Sequence, residues 1–113
     1  MLLRSLKNIP TEGVSHDPQI LKQVMLKSGE VPCLTNFSQA YLAPGQKTVC
    51  HSHRDMWEVY LVEDGGGALI LNGTMSEISR GSCFAIAPGE EHEVRSSEVQ
   101  GLRLTYFGIV PSP

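Results

Sequence analysis

GQKTVCHSHRDMWEVYLVEDG, residues Gly45–Gly65, sets His51 and His53 two positions apart and Glu58 five positions later. In an extended chain alternate side chains share a face, so the two histidines project together while Cys50 and Ser52 point away. A turn at Arg54-Asp55 then leads into an apolar strand, Met56 to Val62, that carries Glu58. Further on, His92 follows a Pro88-Gly89 turn. Three imidazoles and one carboxylate form a nitrogen/oxygen donor set suited to Fe, Mn, Ni, Zn or Cu. The expectation is one divalent transition metal ion per chain, held by His51, His53, Glu58 and His92.

The spacing Gly45, His51, His53, Glu58, Gly65 resembles the first motif of the cupin superfamily at every fixed position. A second motif is matched in part: Gly81, then Ala87-Pro88-Gly89, then His92 and Ser96. Ala87 stands where that motif has a proline, and Ser96 where it has an asparagine. Neither replacement touches a ligand. The resemblance spans 45–96 and is to a small single-domain cupin of the conserved-barrel, cupin-2 type. It implies an all-β fold, the double-stranded β-helix (jelly-roll) barrel. It also implies that the N-terminal segment, 1–30, is a dimer-forming extension and the protein a homodimer. It does not identify a substrate, because one fold hosts many chemistries.

Composition narrows the classes. A chain of 113 residues is one domain, 1–113, large enough for a core without disulfide staples. Charged residues are 19% and the net charge is −3, so nothing marks a nucleic-acid or acidic-membrane partner. No apolar run reaches about 18 residues, the length of a spanning helix. The start, MLLRSLKN, has one early arginine and no long apolar core, so it does not read as a signal peptide. A cytoplasmic location is expected. Cys33, Cys50 and Cys83 fit neither a zinc ribbon nor a disulfide framework and read as reduced, buried or half-buried thiols.

Along the chain, Leu6 to Ile9 reads as a short strand, and His16 beside Asp17-Pro18 as a surface residue in a turn. Gln19 to Lys27 has both helical and strand spacing, with strand preferred beside strand neighbours. Strands are expected at 36–42, 49–53, 56–62, 68–71, 74–78, 82–86, 91–95 and 101–110. Turns are expected at Pro44-Gly45, at Asp64 to Gly67, at Arg80-Gly81 and at 87–90. Asn72-Gly73 is the best hairpin signal, because both turn positions need positive φ. Nine or ten short strands with glycine turns indicate a sandwich or barrel.

Alternation places Met56, Tyr60 and Val62 on the face of Glu58, and Val94 on the face of His92. Tyr60 is the candidate catalytic hydroxyl, with ordinary core packing as its alternative. Glu91 and Glu93 should point outward. On the last strand, either Arg103, Thr105 and Phe107 or Leu102, Leu104 and Tyr106 face inward, the second set being favoured because arginine is mostly exposed. No separate general base is identifiable. Four protein ligands on a six-coordinate ion leave two adjacent positions open, which suits a small molecule together with O₂. The first reading is therefore a dioxygenase-like enzyme on a small-molecule substrate. Alternatives are a metal-dependent isomerase, cyclase or lyase, a non-enzymatic binding module for a sugar-like ligand, and a metal-free structural barrel.

Overall fold

The computed structural model describes residues 1–15 and 17–112, so the expectation for His16 lies outside the described residues. Eight strands are described: β1 Glu12–Val14, β2 Asp17–Leu26, β3 Leu34–Leu42, β4 Trp57–Leu71, β5 Thr74–Ser79, β6 Cys83–Ile86, β7 His92–Ser96 and β8 Leu102–Ile109. All pair antiparallel, in the order β1-β2-β3-β8-β4-β5, with β6 and β7 also on β4. The fold is the all-β jelly roll. Among the described residues no helix is long and apolar enough to cross a membrane.

β4 organises both halves. Its first part, Trp57 to Gly65, lies between β8 and β6, and its second part, Gly66 to Leu71, between β5 and β7. The expected turn at Asp64 to Gly67 is therefore a correction. The chain runs straight on through the glycines, with a register shift at Val62/Asp64, and one strand replaces the expected 56–62 and 68–71. The reason is crowding at a corner between two sheets. Gly65 has φ +84°, and a Cβ there would overlap the carbonyl oxygen of Gly101; a Cβ at Gly67 would overlap that of Arg95. Glycine marks close backbone approach here.

Two other expectations change. Leu6–Asn8 is a 3-10 turn, closed by Asn8 N–H to the Ser5 carbonyl at 2.9 Å and Ile9 N–H to the Leu6 carbonyl at 3.1 Å. Gln23 donates to the Leu6 and Ile9 carbonyls, so the segment docks through a side chain and has no strand to pair with. Residues 49–53 form no strand; they hold only an isolated bridge, His51 to His92. The Asn72-Gly73 hairpin forms as read, with Asn72 at φ 46° and Gly73 at φ 84°.

The core settles the last strand. Leu102 is fully buried and Leu104 nearly so, while Arg103 is exposed and sits over the Tyr41 ring at 5.3 Å. With Ile20, Leu42, Val62, Ile86 and Val94 they form one cluster. Each such side chain contributes roughly 1.5–3 kcal/mol on burial, which on β8 outweighs any gain from turning Arg103 inward. Gln19 to Lys27 is strand, as preferred: β2 pairs with β3 and β1 of its own chain. Cys50 and Cys83 are exposed rather than buried; Cys33 is partly buried. On β6, Cys83 alternates with inward Phe84 and Ile86, which puts the thiol outside.

Candidate metal centre

The four expected donors come together from three places. Glu58 stands on β4, opposite Ile86 of β6 and Gly108 of β8. His92 opens β7, and His51 and His53 lie on the segment between β3 and β4. That segment is tied to the barrel by the main chain. His51 and His92 exchange N–H···O bonds of 3.1 and 2.9 Å, and Gly89 N–H donates to the His53 carbonyl at 2.7 Å. One donor atom from each of the four residues lies within 4.8 Å of the others.

The detailed geometry suits a cation. His53 Nε2 and His92 Nε2 each approach the same oxygen, Glu58 Oε1, to 3.1 Å. These three buried atoms are close, yet none is aligned with a hydrogen-bond partner among the described residues. His92 Nδ1 contacts the Glu90 carbonyl at 3.1 Å and His51 Nδ1 the Val49 carbonyl at 2.6 Å. A carbonyl only accepts, so each Nδ1 carries a proton, and in the neutral ring each Nε2 keeps its lone pair for a cation. Lone pairs aimed at a carboxylate oxygen repel unless a positive charge stands among them. One proton serves one such contact; a metal ion serves all. Donor atoms gathered within 4.8 Å of one another are close enough for one ion to be reached by all four residues.

Titration follows the same charges. Burial pushes the Glu58 carboxyl up, but the approach of His92 and the charges of His53, His92 and His51 outweigh it and hold it below its ordinary value. Burial pulls His92 down, and Glu58 with the Glu90 carbonyl more than reverses that. For His51 burial dominates, and its pKa is lowered. Burial drives the Tyr60 phenol well above its usual range, with Glu58 and Tyr106 adding to the effect. Tyr106 is pushed up to about 12, again by burial first.

All four donors line one cavity of about 190 Å³. That is below the roughly 300–1,000 Å³ of pockets for drug-sized ligands, so its occupant is small. Met56 and Tyr60 line it, as alternation required; Val62 is buried in the core beside it. Tyr60 is the middle of three stacked rings, 4.8 Å from Phe84 and 5.2 Å from Tyr106, its register partners on β6 and β8. Glu91 is exposed, and Glu93 pairs with Arg95, both away from the donors. Cys50 is outside the donor group. Ser96, at the position of the motif's asparagine, donates to the Gln100 carbonyl at 3.0 Å and so serves the loop rather than the site. Lys22 and Asn36, absent from the sequence reading, also line the cavity. Lys22 was legible in principle, since it sits two residues after buried Ile20 on the same strand.

Comparison with known proteins agrees with this geometry. Residues 39–107 match the family model described as the cupin domain. An uncharacterized protein of Methanocaldococcus jannaschii is 22% identical over 83 residues, covering 74% of this chain, and the chain spans 66% of that relative's length. Among solved structures, a predicted oxalate decarboxylase from Thermotoga maritima is similar at TM-score 0.84 and 21% identity, covering 97% of this chain and 99% of that one. The polyketide cyclase RemF from Streptomyces resistomycificus is similar at TM-score 0.82 and 19% identity, covering 100% and 82%. With a family match over more than half its length, on a jelly roll that gathers the donors of both motifs, this chain belongs to the cupin family.

Proposed function

We propose that this protein is a metal-dependent enzyme acting on a small molecule, with His51, His53, Glu58 and His92 holding one divalent transition metal ion. The observation that carries the reading is the trio of buried, unaligned donor atoms on His53, Glu58 and His92 in the wall of a cavity. Bound there, the ion would supply Lewis acidity and, as iron(II), a place for substrate and dioxygen to meet. A dioxygenase-like activity is the first reading on that chemistry. The chain's own part is to hold, orient and exclude water. Burial and Glu58 favour the protonated form of the Tyr60 phenol, which would offer a bound ligand a hydrogen-bond donor. The ring stack fixes its direction.

A second reading is Lewis-acid chemistry, as in an isomerase, cyclase or lyase. It is favoured by the names of the similar structures, a predicted oxalate decarboxylase and a polyketide cyclase. A binding module for a sugar-like ligand would share the centre and lack turnover. Elemental analysis of untagged protein purified without oxygen, followed by O₂ uptake with small thiols, diketones and enols, separates them. Near-stoichiometric iron with substrate-dependent O₂ consumption supports the first reading. Zinc or manganese without O₂ uptake supports the second. No metal, even after reconstitution, refutes both. A homodimer is also proposed, with the segment 1–30 at the interface: its β1 stands at one end of the strand order. Sedimentation of the full chain against one lacking 1–14, which removes β1, tests it.

A further inference from the structure

One side chain of the cavity wall has no part in the metal reading. Lys22 lies on β2 two residues after Ile20, which is fully buried. Alternation gives them the same, inward, face, and both line the cavity that contains the four donors. Ala40, the register partner of Lys22 on β3, is buried and lines it too. An ammonium on an inward strand position is costly unless something pairs with it.

Nothing among the described residues does. Lys22 is partly buried, and its side chain makes no hydrogen bond or ion pair with a described residue. Glu12 stands opposite it in the β1–β2 register, yet the two form no ion pair. The carboxylates of the wall are otherwise engaged: Asp17 accepts from the Gln19 N–H at 2.9 Å, and Glu58 faces the histidines. Lys22 is the single lysine or arginine among the described residues of that wall. An inward lysine can also guard an edge strand against pairing with another chain. That need is small here, because β1 covers the Lys22 stretch of β2.

We infer that Lys22 is the counter-ion for the carboxylate of a small organic acid, whose second oxygen, a hydroxyl, carbonyl or enol, faces the metal centre. The inference rests on the metal reading above and narrows its substrate class. With a dication bound, the charged groups of the wall are the metal, Lys22, Asp17 and Glu58, an excess of one positive charge. A monoanion balances it. A neutral ligand would instead strip water from Lys22 and offer no partner, which selects against it. The small cavity restricts the acid to a few carbons.

The test uses the full chain loaded with cobalt(II), whose visible spectrum reports ligand approach. It is titrated with 2-oxobutanoate and with its neutral analogue 2-oxobutanamide. In the wild type the acid should perturb the spectrum at lower concentration than the amide. In Lys22→Met, and in Lys22→Gln as a second neutral variant, the acid should bind at least about tenfold more weakly, the size expected for losing a charge-assisted hydrogen bond. The amide should be unaffected, and Lys22→Arg should recover part of the loss. Equal acid affinity in wild type and both neutral variants, at full cobalt content, overturns the role of Lys22 and leaves the metal reading standing. So does an equal loss for acid and amide, which would mark a role in shape alone. Failure of millimolar acid to perturb the wild-type spectrum overturns the substrate class. Failure to bind one cobalt per chain is a different result: it overturns the metal reading itself, and this inference with it.

Discussion

His51 and His92 face one another as an isolated antiparallel pair, exchanging both main-chain hydrogen bonds while their rings sit 4.3 Å apart. The backbone thus fixes the separation of two donors that belong to different motifs. The bridge uses no side-chain atom, so it survives loss of either ring.

His51→Ala should therefore keep the fold and lose the metal. We expect metal affinity to drop by more than the roughly 10–100-fold typical of losing an outer-shell partner. The metal-free variant should unfold within about 1 kcal/mol of the metal-free wild type, because the ring is only partly buried. Metal content by mass spectrometry and urea melts check both halves. Full occupancy would refute the ligand assignment.

Chelation should lower stability steeply. A metal that binds the folded state alone adds about 4 kcal/mol at a thousandfold excess over its Kd. For a chain of this size that is roughly 15–25 °C in melting midpoint. A midpoint that stays put, with the metal shown to be gone, would mean that the donors hold their positions without it and bind it weakly.

Tyr60→Phe separates packing from chemistry. The ring stack with Phe84 and Tyr106 is retained, so stability should change by about 1 kcal/mol at most. If the hydroxyl positions substrate, kcat/KM should fall about tenfold or more with metal content intact. Unchanged turnover would reduce Tyr60 to a core residue.

The corner glycines should tolerate no side chain. Gly65→Ala and Gly67→Ala each drive a Cβ into a carbonyl oxygen and should cost about 3 kcal/mol or more, with aggregation as the alternative outcome. Gly73→Ala meets open space but keeps φ +84°, so about 1–2 kcal/mol is expected. Denaturant midpoints for the three variants should fall in that order.

The N-terminal segment should respond to acid. Arg4 grips Glu30 with a 2.6 Å hydrogen bond and donates to the Met25 carbonyl at 2.9 Å. The Arg4 hydrogen bond, followed by the Lys27 N–H, holds the Glu30 carboxyl down at about 2, from 4.5. A depressed carboxylate stabilises above its unfolded pKa and loses that contribution as pH falls through its folded one. Docking of residues 1–10 should thus be complete at pH 6 and loosen between about 4.5 and 2. The pair is solvent-exposed, so the energy is small and salt-sensitive. Amide shifts of Arg4 and Met25 followed by NMR should titrate, and Glu30→Gln should flatten the curve.

What was legible in the sequence, and what was not, divides by the range of the interaction. Alternation from Glu58 placed Tyr60 and Val62 inside correctly, because a strand's two faces are a local property. Asn72-Gly73 announced its hairpin for the same reason. The glycines at 65–67 misled, because the same residue serves a turn and a crowded crossing, and the crowding comes from Gly101 and Arg95, distant in sequence. Residues 49–53 carry strand-like residues but form a β-bridge only at His51. The donors were readable by spacing. Lys22 was passed over because its neighbours fit helix or strand, and its facing depends on which.

β4 has a kinetic consequence. Glu58 near its start pairs with β6 and β8, and Leu71 at its end pairs with His92 of β7, so the strand carries donors and their neighbours on both sides of the corner. Most contacts in such a barrel close long loops, so folding is slow. A nascent chain that has formed one sheet holds at most part of the donor set. A metal held by all four residues would therefore need both halves of β4 to be paired, with β6 and β8 on one and β7 on the other.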